Sequence, residues 1–203
     1  RSSDLDLRKL VITVDGNTRG GKIIPIKSNI DEVRKILNND IKTLVVRRKG
    51  IDLNWNNTCD FDYYKESQDM STECDIIDTE SNSKLFFLYT SGSAGKPKGI
   101  TMGTGGFLLF SMLTGKYFFN MFKDEIFWGS GDIGWMGGHA YALYSALCNG
   151  ITSVFYEGIP TYPRKSIFWE IIDKHKVTSF NTAPTVIRAM MQDAEESLAN
   201  TSR

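Results

Sequence analysis

Short β-rich runs alternate with helical stretches along almost the whole of this 203-residue chain. Leu10-Val11-Ile12-Thr13-Val14 reads as a strand. A turn at Asp15-Gly16-Asn17 follows, leading into Thr18-Arg19-Gly20-Gly21-Lys22. A helix then opens with Asn29 as its N-cap, Glu32 three residues on, and Val33, Ile36 and Leu37 as its apolar stripe; it ends at Asn38-Asn39. Thr43 to Val46 is the next strand, which completes a strand–helix–strand unit. The second half repeats the alternation. Leu85-Phe86-Phe87-Leu88 reads as a buried strand, and Phe107 to Phe119, apolar almost all round, as a buried helix. Strands at 125–128, 152–156 and 177–180 alternate with helices at 140–147, 167–174 and 184–192. The class is therefore α/β, with largely parallel or mixed sheets flanked by helices. Thr79 to Lys84 is polar and aperiodic, so the expected division is a segment at 1–84 and a segment at 85–203.

Composition narrows the function classes. Hydrophobic residues are 41% of the chain, enough for a core, and the formal net charge is zero. No global charge recruits nucleic acid or an anionic membrane, so an anion site has to be a local cluster. Cys59, Cys74 and Cys148 form no CxxC pair, and His139 and His175 complete no zinc spacing, so no metal site is expected from these residues. An odd, sparse cysteine set suits a reducing compartment, and the start of the chain has no apolar signal region, so a cytoplasmic location is expected.

The local cluster is Tyr89-Thr90-Ser91-Gly92-Ser93-Ala94-Gly95-Lys96-Pro97-Lys98-Gly99. Glycines allow close backbone approach, and hydroxyls and two ammonium groups supply donors and charge, which is what a polyphosphate needs. A flexible surface turn is the alternative. The loop is no P-loop NTPase motif: Thr90 stands where its first glycine belongs and Pro97 where its metal-binding hydroxyl belongs.

Tyr89 to Gly99 resembles the signature loop of the acyl-adenylate-forming enzymes. Within that superfamily, Phe127-Trp128-Gly129-Ser130-Gly131-Asp132-Ile133-Gly134-Trp135-Met136-Gly137-Gly138-His139 is similar to the tryptophan-rich segment of the AMP-forming acetyl-CoA synthetase family. Tyr156 to Pro163, Asp173 to Val177, Asn181 to Arg188, and Thr18 to Lys27 resemble the same family. The resemblance implies an internal portion of that family's large N-terminal domain. It implies a ligase that joins ATP, acetate and CoA through an acetyl-adenylate.

The resemblance also assigns residues. Thr90, Ser91, Gly92, Ser93, Gly95 and Lys96 would hold the β- and γ-phosphates of ATP, and Lys98 would either join them or pair with a carboxylate. Trp135, Met136 and Gly137 would line the acyl pocket, with core packing the alternative for Trp135. Arg19 and Lys22 would meet the phosphates of CoA, and Thr161 would approach the same ligand, with solvated surface the alternative for all three. Mg²⁺ would neutralise the polyphosphate. His139 is read as a helix-start residue satisfied by backbone, with a place near the acyl-phosphate as the alternative, and His175 as a surface residue at a helix end.

The sequence departs from the family pattern in several places. Ala94 stands for a threonine, Met102-Gly103 for a His-Thr pair, and Met136 and Gly137 for a β-branched aliphatic residue and a threonine. These departures leave a propionate-type ligase and a non-catalytic nucleotide-binding remnant as alternatives. The adenine-contacting segment, the ribose-binding aspartate and the domain with the catalytic lysine should all follow Arg203. No catalytic residue is therefore assigned within these residues, and the isolated piece is expected to be inactive.

Overall fold

The computed structural model describes residues 10–90 and 96–191. The chain divides between Asp75 and Ile76 into two compact units.

The first unit is built on a three-stranded parallel sheet in the order β1 (Val11–Val14), β4 (Thr43–Val46), β5 (Asp60–Asp62). Between β1 and β4 the chain forms an antiparallel hairpin, β2 (Gly16–Arg19) and β3 (Lys22–Pro25), and then α1 (Lys27–Leu37). Gly20 and Gly21 both have positive φ, 55° and 80°, as a two-residue hairpin turn matched to strand twist requires. A five-residue helix, α2 (Tyr63–Ser67), follows β5, with Asp62 accepting from the backbone N–H groups of Tyr64 and Lys65.

Helix α1 departs from expectation at both its start and its face. Its N-cap is Ile26, and Asn29 lies inside the first turn. The backbone carbonyl of Asp15, between β1 and β2, accepts from Ile26 N at 3.1 Å and Lys27 N at 3.5 Å, so two of the first donors are satisfied without a side-chain cap. The buried residues of α1 are Lys27 and Arg34, while Ile36 is 80% exposed. The helix turns a charged stripe inward because a buried carboxylate, Asp60, waits for it on β5. Lys27 Nζ lies 2.6 Å from Asp60 Oδ2 and Arg34 Nη1 2.8 Å from Asp60 Oδ1. Arg34 also donates to the carbonyls of Ile41 and Cys59 and to Thr43 Oγ1. The C-terminus is as expected, with Asn38 as a left-handed cap.

The second unit opens with an antiparallel pair, β6 (Lys84–Thr90) and β7 (Lys98–Gly103). It continues through α3 (Thr104–Phe118) to β8 (Ile126–Gly129). A π-helix at Gly138–Ser145 runs directly into a single helical turn, α4 (Ala146–Cys148). Then come β9 (Thr152–Val154), α5 (Ile167–His175), β10 (Ser179–Asn181) and α6 (Pro184–Met191). β8 pairs parallel with β10 on one side and β9 on the other. Trp128, Phe168, Ile171 and Met190 form one core cluster, and Met121, Phe127, Ala146 and Ile151 another.

Two burial expectations fail here for one reason. Leu85–Leu88 lies within β6, but Phe87 is 56% exposed. In α3 the buried residues are Phe107, Ser111 and Gly115, and Leu109, Phe110, Leu113 and Tyr117 are exposed. Among the described residues only part of each element is covered, so apolar composition alone overstated the burial.

Candidate functional site

The β6–β7 pair positions the polar loop. Thr90 is the last residue of β6 and pairs in register with Lys98, the first of β7. The two ends of the loop are therefore held side by side, with Lys96 and Lys98 both exposed. Tyr89 pairs with Gly99, and a Cβ at Gly99 would come within 3.1 Å of the Tyr89 ring, so glycine is what lets that ring lie across the strand. Ser91, Gly92, Ser93 and Gly95 lie outside the described residues.

The segment after β8 is fixed by its own backbone. Ser130 N donates to Asn181 O at 2.9 Å, and the Ser130 and Thr182 hydroxyls are 2.6 Å apart, which ties the ends of β8 and β10 together. Asp132 then organises a tight turn: its Oδ1 accepts from Gly134 N at 2.7 Å and its carbonyl from Trp135 N at 2.9 Å. Gly138 packs so closely on the backbone of Asp132 and Ile133 that a Cβ there would overlap them. The turn delivers Met136 and Gly137 to the head of the π-helix.

A cleft of about 560 Å³ opens at this point. Its wall combines Met102 and Gly103 from β7, Phe107 and Phe110 from α3, and Met136 and Gly137 before the π-helix. Four residues that depart from the family pattern in two separate stretches of sequence thus line one cavity. Trp135 is not part of this wall, and its side chain is 67% exposed.

His139 is the second residue of the π-helix, and its Nδ1 is hydrogen-bonded to Ile133 O. Its ring lies 5.1 Å from Phe86, which also meets Phe107 at 5.0 Å and Tyr144 at 6.1 Å. The aromatic group joins the strand that leads to the polar loop with the helix and the π-helix that wall the cleft. The backbone-satisfied reading of His139 and the helix-end reading of His175, the exposed last residue of α5, both agree with the structure.

Arg19 and Lys22 belong to the first unit. They are paired across the hairpin tip and both are exposed, so two cations project from one end of one ribbon. Thr161 is an exposed turn residue of the second unit, just before the cis Tyr162–Pro163 bond.

Sequence reasoning missed Asp15. Its side chain has no exposed surface. Burial by itself would raise its pKa, but N–H groups of Arg48, Lys49, Gly16 and Gly50 point at the carboxylate and hold it at about 2. The buried Asp60 behaves alike: burial would raise it, and the Asn56 N–H, Lys27 and Arg34 keep it below the ordinary carboxylate range. Lys27, Asp31 and Arg34, spaced four and three apart, were the available signal for a charged inner face on α1. Among the described residues, no group of three His, Cys, Asp or Glu side chains converges as a metal site, and no helix is long and apolar enough to cross a membrane.

Residues 9–203 match the AMP-binding enzyme family. The chain belongs to the AMP-binding enzyme family. It is 44% identical over 197 residues to an acetyl-coenzyme A synthetase of Methylorubrum extorquens, covering 96% of this chain and 30% of that protein. An acetyl-coenzyme A synthetase of a Bradyrhizobium species is 42% identical over 203 residues, 100% of this chain and 31% of the relative. The chain thus spans about 30% of the length of these AMP-binding relatives. The solved acetoacetyl-CoA synthetase from Streptomyces lividans has the same fold over 95% of this chain and 29% of its own, with a TM-score of 0.80 at 23% identity. The family resemblance read from the loop and the tryptophan-rich segment, and the α/β class with mixed sheets, are borne out.

Proposed function

We propose that this chain is part of an acid–CoA ligase that takes acetate, ATP and CoA to acetyl-CoA, AMP and diphosphate. The observation that carries this reading is the geometry of the second unit. A hydroxyl- and lysine-bearing strand end and an apolar cleft are joined there through one aromatic group. A carboxylate is a poor electrophile because its leaving group would be an oxide. In the first step a carboxylate oxygen attacks the α-phosphorus of ATP, the bond to the β-phosphate oxygen breaks, and diphosphate leaves. Thr90, Lys96 and Lys98, with Ser91, Gly92, Ser93 and Gly95, hold the departing phosphates and offset their growing charge. Met136 and Gly137 receive the acyl group, and Trp135, exposed and adjacent to them in sequence, is the third candidate for this pocket.

In the second step the CoA thiol attacks the acyl carbon and AMP leaves. Arg19 and Lys22 pair with CoA phosphates. Lys22 supplies charge without a guanidinium's two-pronged fork. Mg²⁺ would supply charge neutralisation at the polyphosphate. Among the described residues no group of three His, Cys, Asp or Glu side chains converges to hold that ion. The unpaired Cys59, Cys74 and Cys148 support a reducing, cytoplasmic setting. The test is acetate-dependent diphosphate release by the full-length protein. Lys96→Ala is expected to cut it by about a hundredfold or more. Lys22→Ala is expected to raise the KM for CoA while leaving diphosphate release in the absence of CoA in place. Equal activity of Lys96→Ala and wild type refutes the assignment.

A further inference from the structure

The cleft is much larger than acetate. Four heavy atoms occupy the bulk of two or three waters at about 30 Å³ each, against about 560 Å³ of open space. Its wall is unusually bare. A Cβ built on Gly106 or Gly137 finds no atom within 4 Å, and one on Gly103 meets only the Ser83 carbonyl, at 4.0 Å. Three glycines therefore leave real room, rather than relieving a clash as Gly138 does.

The remaining lining is apolar and compliant. Met102 and Met136 are unbranched thioethers that adapt to the shape beside them. Phe110 borders the cleft with its side chain 53% exposed, so there is ring surface for a ligand to cover. Ser81, Asn82 and Tyr141 bring polar groups to the wall, but Met102, Phe107, Phe110, Met136 and Ala140 offer no side-chain hydrogen bond. Water is held poorly against such a surface, and an apolar ligand displaces it with gain.

We propose that the acid site continues into this cleft, so that the enzyme accepts aliphatic monocarboxylic acids of about four to six carbons as well as acetate. The inference rests on the ligase reading above and extends the substrate class of that same site. The carboxylate end reacts as acetate does. The added methylenes lie along Gly137, Met136 and Met102 toward Phe107 and Phe110. Each methylene that reaches the apolar wall is worth about fourfold in kcat/KM, which offsets the disorder lost by a longer chain.

The test is diphosphate release by the full-length protein with acetate, butyrate and hexanoate, read as kcat/KM for each acid. Butyrate and hexanoate are expected within about tenfold of acetate or above it. Gly103→Val and Gly137→Val each refill part of the cleft and are expected to lower the hexanoate-to-acetate ratio of kcat/KM at least about tenfold. Gly103 has extended backbone at φ −84° and Gly137 helical backbone at φ −64°, so valine fits either conformation, and one variant serves if the other fails to fold. A wild-type kcat/KM that drops more than tenfold from acetate to butyrate overturns the inference and leaves the ligase reading standing. An unchanged ratio in both variants also overturns it. Absence of acid-dependent diphosphate release with all three acids overturns the ligase reading itself, and the inference with it.

Discussion

Replacing Asp15 should release the turn after β4 from the first hairpin. Asp15 Oδ1 accepts from Gly16 N at 2.7 Å, Arg48 N at 2.9 Å and Lys49 N at 3.1 Å. Its Oδ2 accepts from Lys49 N at 3.0 Å and Gly50 N at 2.7 Å. In Asp15→Ala all of these donors lose their acceptor. Arg48 and Gly50 are exposed and can turn to water, whereas Gly16 is buried and Lys49 is partly so. Two stranded donors at about 1–3 kcal/mol each make a loss of about 3 kcal/mol. Asp15→Asn keeps the shape but sets an NH₂ against two N–H groups, and should lose about 2 kcal/mol.

The assay is amide hydrogen exchange. About 3 kcal/mol corresponds to roughly a hundredfold faster exchange at residues 16 and 48–50, with little change in the strands of the second unit. Acid supplies an independent check. The folded carboxyl is depressed to about 2, so its contribution is present in full above the ordinary carboxylate range and lost as pH falls through about 2. Unscreened, that shift is worth about 2 kcal/mol, and exposed neighbours reduce the working figure to about 1 kcal/mol. Wild type should therefore lose protection at these amides between about pH 4 and pH 2 in a component that Asp15→Ala lacks. A change below about threefold at these amides in Asp15→Ala would refute the reasoning.

Two further predictions concern packing. Arg34→Ala leaves Asp60 with one cation of its two and frees the Ile41 and Cys59 carbonyls, so a loss of about 3–5 kcal/mol is expected in urea denaturation of the full-length protein; a loss under about 1 kcal/mol would show that the network contributes little. Gly115→Val should destabilise by about 1–3 kcal/mol, because a Cβ there overlaps Ser145 Oγ and comes within 2.8 Å of Met121 Sδ and Asn149 Nδ2; an unshifted midpoint would mean that α3 and the π-helix part easily.

What could be read beforehand followed from local pattern. β1, β4, β8, β9 and β10 announce themselves as β-rich runs, and α5 through Phe168 and Ile171 at helical spacing. The β2–β3 hairpin was not read, although Gly20-Gly21 is a hairpin-turn dipeptide, because Gly16–Arg19 lacks the alternation of a half-buried strand. The π-helix is invisible to a 3.6-residue period. Of the candidate site, Met136 and Gly137 were reached through resemblance. Phe107, Phe110 and Ala140 were not, because only folding brings α3 beside the π-helix.

The two units hold their shape by different physics, and this bears on what each does. In the first, the buried set includes Asp15, Lys27, Arg34, Thr43 and Asp60 beside few apolar side chains. Buried charge contributes little net stability, but each group must find its partner, so such a network penalises any slip of α1 along β4 and β5. The hairpin that carries the exposed Arg19 and Lys22 stands on that fixed base. The second unit packs rings: Trp128 on Phe168 at 4.8 Å and on Phe180 at 4.9 Å, and Phe86 on Phe107. Apolar packing tolerates change of volume better than a charge network does. A change of side-chain volume at Met102, Gly103, Met136 or Gly137 can therefore reshape the cleft they line without unmaking the fold that carries it.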